Sequence, residues 1–141
     1  MLFRSTVAGP TTGGIILAHE VARQLGSRAI YAERREGASG REFRRGFALA
    51  PGERVLVVDD IMTTGGSLQE TIDAVRAAGG TVAGAAVIVD RSGGTARLDV
   101  PLYALWRLDI PSYTVAECPL CAKGVPAMHP GTTPAPVIVS R

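Results

Sequence analysis

Long apolar runs are missing from these 141 residues. Nothing approaches the ~18 consecutive apolar side chains of a membrane span, so no membrane partner is expected. The Met1-Leu2-Phe3-Arg4 start is too short and wrongly ordered for a signal peptide, and a cytoplasmic protein is the expectation. Cysteine is scarce: Cys118 and Cys121 are the only two, too few for a disulfide framework, and both stay thiols in a reducing compartment. An excess of one charge sign is missing too. Fifteen basic against 13 acidic residues leave +2, which gives no reason to expect a nucleic-acid partner. Lysine is nearly absent, Lys123 being the lone example, and with it goes any GxxxxGK[ST] phosphate loop. What remains is an ordinary globular composition, 46% hydrophobic and 20% charged, in a chain long enough for one domain with a real core.

The pattern alternates strand-like and helix-like runs. Gly13-Gly14 lead into a helix on which Leu17, Val21 and Leu25 recur at helical spacing, with Ala18 and Ala22 beside them and Gly26 as the C-terminal cap. A short strand over 28–32 follows, then an arginine-rich segment, ERREGASGREFRRGF (33–47). Residues 54–58 read as an apolar strand buried on both faces. Leu68, Ile72 and Val75 mark a helix that Gly79-Gly80 end, and strands follow at 81–90 and 101–108. The first strand begins almost at Met1. This alternation predicts an α/β fold, a mostly parallel central sheet flanked by helices in a single domain. Residues 1–109 form the core, with 33–47 as a flexible loop. From Ile110 onward six prolines make an irregular tail over 110–141, expected to pack on the core and to carry a last strand at 137–139.

The stretch VLVVDDIMTTGGS (55–67) combines opposed features. Asp59 and Asp60 follow a buried strand, where ligands of open parallel sheets bind. Thr63, Thr64, Gly65, Gly66 and Ser67 then supply hydroxyls and unhindered N–H groups at a helix start, an anion cradle. Carboxylates accept hydrogen bonds from sugar hydroxyls, so a sugar phosphate satisfies both halves. The bland alternative makes Ser67 a helix N-cap with Glu70 completing a capping box, which leaves the paired acids unexplained.

VLVVDDIMTTGGS resembles the phosphoribosyl diphosphate (PRPP) motif of the type I phosphoribosyltransferases, which have a Rossmann-like core. VDRSGG (89–94) resembles the segment of the orotate phosphoribosyltransferases whose arginine receives the base's carboxylate. AECPLCAKGVPAMHPGT is similar to the ending of one branch of that family. The resemblance implies Mg²⁺-dependent transfer of ribose 5-phosphate from PRPP to orotate, with the Mg²⁺ carried by PRPP. It implies that Arg34 and residues Asp59, Asp60, Ile61, Met62, Thr63, Thr64, Gly65, Gly66 and Ser67 hold PRPP. Thr63 and Arg91 would contact orotate, and Thr11, Thr12 and Gly13, within AGPTTGGI, would form a pyrophosphate loop. The segment 33–47 matches a mobile hood shared across a homodimer, with Arg35 and Arg41 as its catalytic cations. Two features depart from the family pattern. The hood has arginines where lysines are usual, and full-length members carry a few dozen further amino-terminal residues, so a shortened chain is expected. The other classes in play are a phosphoribosyltransferase for another nucleobase, a PRPP-binding regulatory protein without turnover, and an inactive fragment.

The remaining polar residues carry less. Cys118 and Cys121 read as a structured turn more simply than as half a zinc site, with His129 a distant third ligand, and no protein metal site is expected. Arg44 and Arg45 also fit a solvated charged loop. His19 reads as exposed, and Trp106 as core.

Overall fold

The computed structural model describes residues 5–111 and 113–125. They divide into two units at Asp109/Ile110. In the first, β1 (Ser5–Pro10), α1 (Gly13–Leu25), β2 (Arg28–Arg34), β3 (Arg41–Phe43), β4 (Arg54–Met62), α2 (Gly66–Ala77), β5 (Thr81–Asp90) and β6 (Leu102–Arg107) succeed one another. The strands form one sheet in the order β3-β2-β1-β4-β5-β6. All neighbours are parallel except β2 and β3.

Alternation along the central strands assigns each helix to a face. Ala8, Ile30, Val55, Val57, Ala85 and Val87 meet Leu68, Ile72 and Val75 of α2. The intervening Val7 and Val58, with Leu56 and Ala86, meet Ala18 and Ala22 of α1. β4 is thus apolar on both sides, which is why its sequence shows no alternation. Helix α1 seats its alanine row most deeply, while Leu25 is 62% exposed. Small side chains let the helix backbone approach the sheet, and the leucines flank that contact. Gly26 caps α1 at φ 63°, its N–H reaching Ala22 and Arg23 carbonyls.

Three elements differ from the sequence reading. The 33–47 segment is no plain loop: β2 runs on to Arg34 and β3 pairs back antiparallel, Ala32 opposite Phe43 and Arg34 opposite Arg41. β4 does not stop at Val58 but continues through both aspartates to Met62, still paired with β5. Trp106 is not core. Leu102 and Ala104 pack against the α2-side cluster, whereas Trp106, further along the outermost strand, is 59% exposed.

In the second unit the one described helix is the single turn α3 (Pro119–Ala122). The Cys121 N–H donates to Cys118 Sγ at 3.5 Å, and this contact, with the Leu120 N–H, lowers the Cys118 thiol pKa. Among the described residues no three His, Cys, Asp or Glu side chains converge as a metal site. His129 and the expected strand at 137–139 lie outside the described residues.

Candidate active site

The two central strands lead in opposite directions: β1 through α1 to β2 on one side, β4 through α2 to β5 on the other. That is a topological switch point, where parallel sheets open a crevice beyond their carboxyl ends. The crevice exists because the pairing of β1 with β4 ends at Ala8–Val57 while β4 runs on to Met62, leaving residues 58–62 unpaired on the β1 side.

Asp59 and Asp60 are consecutive in a strand and therefore serve opposite faces. Asp60 is exposed and lies against the turn that opens α1. A Cβ on Gly13 would sit 2.4 Å from Asp60 Oδ2, so that turn and that carboxylate can approach only because Gly13 has no side chain. The Thr11–Thr12 peptide in the same turn is cis. Asp59 is 7% exposed and lines the α2 side. Burial pushes its carboxyl up to about pKa 6, with Asp60 nearby acting in the same direction and the Asp60 N–H, 3.0 Å from Oδ1, opposing.

Residues 61–68 with Asp59 line an open depression. Gly65, the residue before α2, adopts φ 85°, and no side chain caps the helix. The capping box read from Ser67 and Glu70 therefore does not form. Thr64 Oγ1 accepts the Gly66 N–H at 3.4 Å, and the N–H groups of Ser67 and Leu68, which line the depression, are left for an anion. Glu70 turns instead toward Arg41, Oε2 lying 3.2 Å from Nε.

Arg41 belongs to β3 yet is 3% exposed. Its Nη1 donates to Thr11 Oγ1 at 2.9 Å and to the Ala32 carbonyl at 3.2 Å, and Nη2 reaches Ser67 Oγ at 3.5 Å. The Nε–Glu70 approach is close but poorly aligned, leaving Nε without a proper hydrogen bond. Burial lowers the Arg41 pKa, partly offset by Glu70 and Asp59. Arg41 was expected as a cation of an open loop; it is enclosed. The other hood arginines divide cleanly. Arg44 pairs with Glu42 and Glu36, and Arg45 with Glu33, as a solvated charged surface would. Arg34 and Arg35 are exposed, and neither guanidinium forms an ion pair or hydrogen bond among the described residues.

Arg91 follows β5. Its N–H donates to the Met62 carbonyl at 2.8 Å, tying it to the end of β4, while its guanidinium is exposed and makes no ion pair or hydrogen bond among the described residues. Asp90, which the sequence reading passed over, shapes this turn. It is 5% exposed, its Oδ1 accepts the Ser92 N–H at 2.9 Å, and Arg107 lies 3.6 Å away. The Ser92 bonds and Arg107 hold its carboxyl below the usual range. The signal for it was present: an acid two residues before Ser92-Gly93-Gly94 is the pattern of an Asx turn.

This crevice, with one glycine turn against each of two strand-end carboxylates, belongs to a known architecture: the chain is a member of the phosphoribosyl transferase domain family, whose model matches residues 4–111. A relative named orotate phosphoribosyltransferase, from Pelotomaculum thermopropionicum, is 53% identical over 91% of this chain and 66% of its own length. The crystal structure of orotate phosphoribosyltransferase from Aeropyrum pernix is similar at a TM-score of 0.62 and 33% identity, over 74% of this chain and 61% of that one. That of adenine phosphoribosyltransferase from Thermoanaerobacter pseudethanolicus gives 0.64 at 21% identity, over 76% and 71%, and shares the fold alone. The chain thus spans about two thirds of the first relative's length.

Proposed function

We propose that this chain binds PRPP and transfers its ribose 5-phosphate to N1 of orotate, giving orotidine 5′-monophosphate and pyrophosphate. The observation that carries the choice of base is Arg91. A guanidinium without a protein partner, held beside the cradle by the Met62–Arg91 backbone bond, suits a planar carboxylated base through two parallel hydrogen bonds. An uncharged purine has no use for it. The name of the Pelotomaculum relative agrees.

In this reading the uncapped N–H groups of the Thr63–Ser67 turn hold the 5-phosphate. Asp59 and Asp60 accept the ribose hydroxyls from the two sides of β4, and the Thr11–Gly13 turn receives the pyrophosphate. The base nitrogen attacks C1 with inversion as the bond to pyrophosphate breaks. The transition state gathers negative charge on the leaving group, where Arg34 and Arg35 of the hood stabilise it. Closure of the hood excludes water from the activated ribose. In the same reading Thr63, which lines the depression, contacts both ligands.

The donor set suits Mg²⁺ borne by the substrate: Asp59 and Asp60 are strand-end carboxylates that can take part in its oxygen coordination beside the ribose. Bound on PRPP, Mg²⁺ would neutralise pyrophosphate charge. The reading extends to a homodimer in the cytoplasm, with each 33–47 segment serving its neighbour's site.

The test is loss of orotate absorbance with PRPP and Mg²⁺, against adenine, hypoxanthine and uracil in parallel. Orotate alone should be consumed, and Arg91→Gln should raise the KM for orotate roughly 10- to 100-fold while leaving that for PRPP within about twofold. Turnover of a carboxylate-free base, or indifference to Arg91→Gln, overturns the choice of orotate. No turnover alongside PRPP binding favours the regulatory alternative.

A further inference from the structure

Arg41 is the one hood arginine turned inward, and it touches both glycine turns. Thr11 opens the turn after β1 and Ser67 stands in the first turn of α2, and each presents its hydroxyl oxygen to the same guanidinium, at 2.9 and 3.5 Å. The Ala32 carbonyl, which accepts from Arg41 Nη1, also accepts the Thr11 N–H at 3.0 Å. The fork is therefore fastened to the sheet at β2, to one turn through Thr11, and to α2 through Ser67 and Glu70.

A hydroxyl that accepts an arginine N–H keeps its own proton free to donate. With Arg41 behind them, Thr11 and Ser67 can turn their protons outward, toward whatever anions occupy the two turns. The same buried positive charge acts on both. It has no direct path to a ligand, being 3% exposed.

We propose that Arg41 is a positioning residue that couples the two anion-binding turns, so that a phosphate at the Thr63–Ser67 cradle and a diphosphate at the Thr11–Gly13 turn each favour the other. An anion on one turn orders its hydroxyl and the fork behind it, and the second anion then meets a turn already ordered. This rests on the assignment of the two turns as phosphate and pyrophosphate sites. It differs from the expectation that Arg41 is a cation at the leaving group, which would have it serve one site only.

The experiment measures the ribose 5-phosphate dissociation constant by calorimetry, with and without saturating Mg²⁺-pyrophosphate. In the unaltered chain pyrophosphate should tighten ribose 5-phosphate about fivefold or more. Arg41→Gln should bring that ratio to about one. Thr11→Val, which keeps side-chain shape but removes the hydroxyl, should do the same in a chain whose buried guanidinium is intact. It carries the test if Arg41→Gln melts at the working temperature. A purely structural arginine would weaken both ligands in Arg41→Gln and leave the ratio unchanged; that outcome overturns the coupling. So does a ratio of one in the unaltered chain, with the proposed function left standing. If the unaltered chain binds neither anion, the assignment of the turns falls and the coupling with it.

Discussion

The two ends of the central sheet treat charge in opposite ways. At the amino end Thr6, Arg28 and Glu53 close on one another. Glu53 Oε1 accepts from Thr6 at 2.5 Å and from Arg28 Nη2 at 3.1 Å, Oε2 accepts the Ala50 N–H at 2.8 Å, and Arg28 also donates to the Ala48 carbonyl. Burial pushes the Glu53 carboxyl up, but the bonds from Thr6, Ala50 and Arg28 outweigh it and its pKa is lowered. At the carboxyl end Asp59 is raised to about 6 and the α2 turn is uncapped. There Arg34, Arg35 and Arg91 have no ion-pair partner among the described residues. Charges at the amino end are thus satisfied by the protein, whereas at the carboxyl end Arg34, Arg35 and Arg91 lack, among the described residues, the partners that Asp90, Arg44 and Arg45 have. A group satisfied by the protein holds the protein together; one left unsatisfied at a strand end marks where something else completes it.

The sharpest break of that comparison exchanges the two ends' carboxylates for amides. Asp60→Asn should lower kcat by roughly 10²- to 10³-fold, the scale of losing one charged contact in a preorganised site. Its melting temperature should barely move, since Asp60 is exposed and its one accepted bond, from the Ile61 N–H at 2.8 Å, survives in asparagine. Mixing this variant with Arg35→Gln sharpens it further. If hoods serve neighbouring subunits, half the dimers are mixed and each carries one intact site, so about a quarter of the full activity returns. A hood acting on its own subunit returns none.

Glu53→Gln should do the reverse. The amide nitrogen replaces one acceptor, faces another donor at Ala50 or Arg28, and removes the charge both bonds relied on. A cost of about 2–3 kcal/mol follows. In a chain of this size that is a fall of roughly 6–12 °C in Tm. Turnover below the transition should stay within about twofold, because nothing at the amino end reaches the crevice. A variant that lost turnover without losing stability would erase the distinction between the ends.

How far the sequence disclosed this arrangement depended on the range of the interaction. Residues 55–67 were legible because the chemistry is local: a strand, its acids and the turn occupy one unbroken stretch. The parallel α/β plan was legible because β4 is apolar on both faces and helical spacing returns on either side of it. Contacts between distant segments were not. Nothing in the spacing of Arg41 from Thr11 or Ser67 shows that a three-residue edge strand turns one guanidinium inward between them, and Glu70 looked like a cap because its actual partner lies 29 positions back. Trp106 looked like core because hydrophobic character cannot tell an outer strand from a central one. Strand order decides that, and strand order is not a local property.

The last expected effect is the one with a sign that separates the two ends. Asp59 has a folded pKa of about 6 against an ordinary 3.8. Between those values the folded chain keeps a proton that the unfolded chain has released. Its contribution to stability therefore rises as pH falls from about 6 toward 4, and above 6 its charge is a constant burden. Glu53 runs the other way: its lowered pKa stabilises the fold above the ordinary glutamate range and is lost as pH falls through the folded value. Asp59→Asn should raise Tm at pH 7.5 and give nothing at pH 4, whereas Glu53→Gln should lower Tm at pH 7.5 and converge on the parent chain in acid. Melting curves carried from pH 8 down into acid, well below the ordinary glutamate value, read both. Parallel curves for the parent and Asp59→Asn would mean that Asp59 is already relieved in the empty crevice. The carboxyl end would then be as self-sufficient as the amino end, and its open charges would no longer single it out as the place where a ligand belongs.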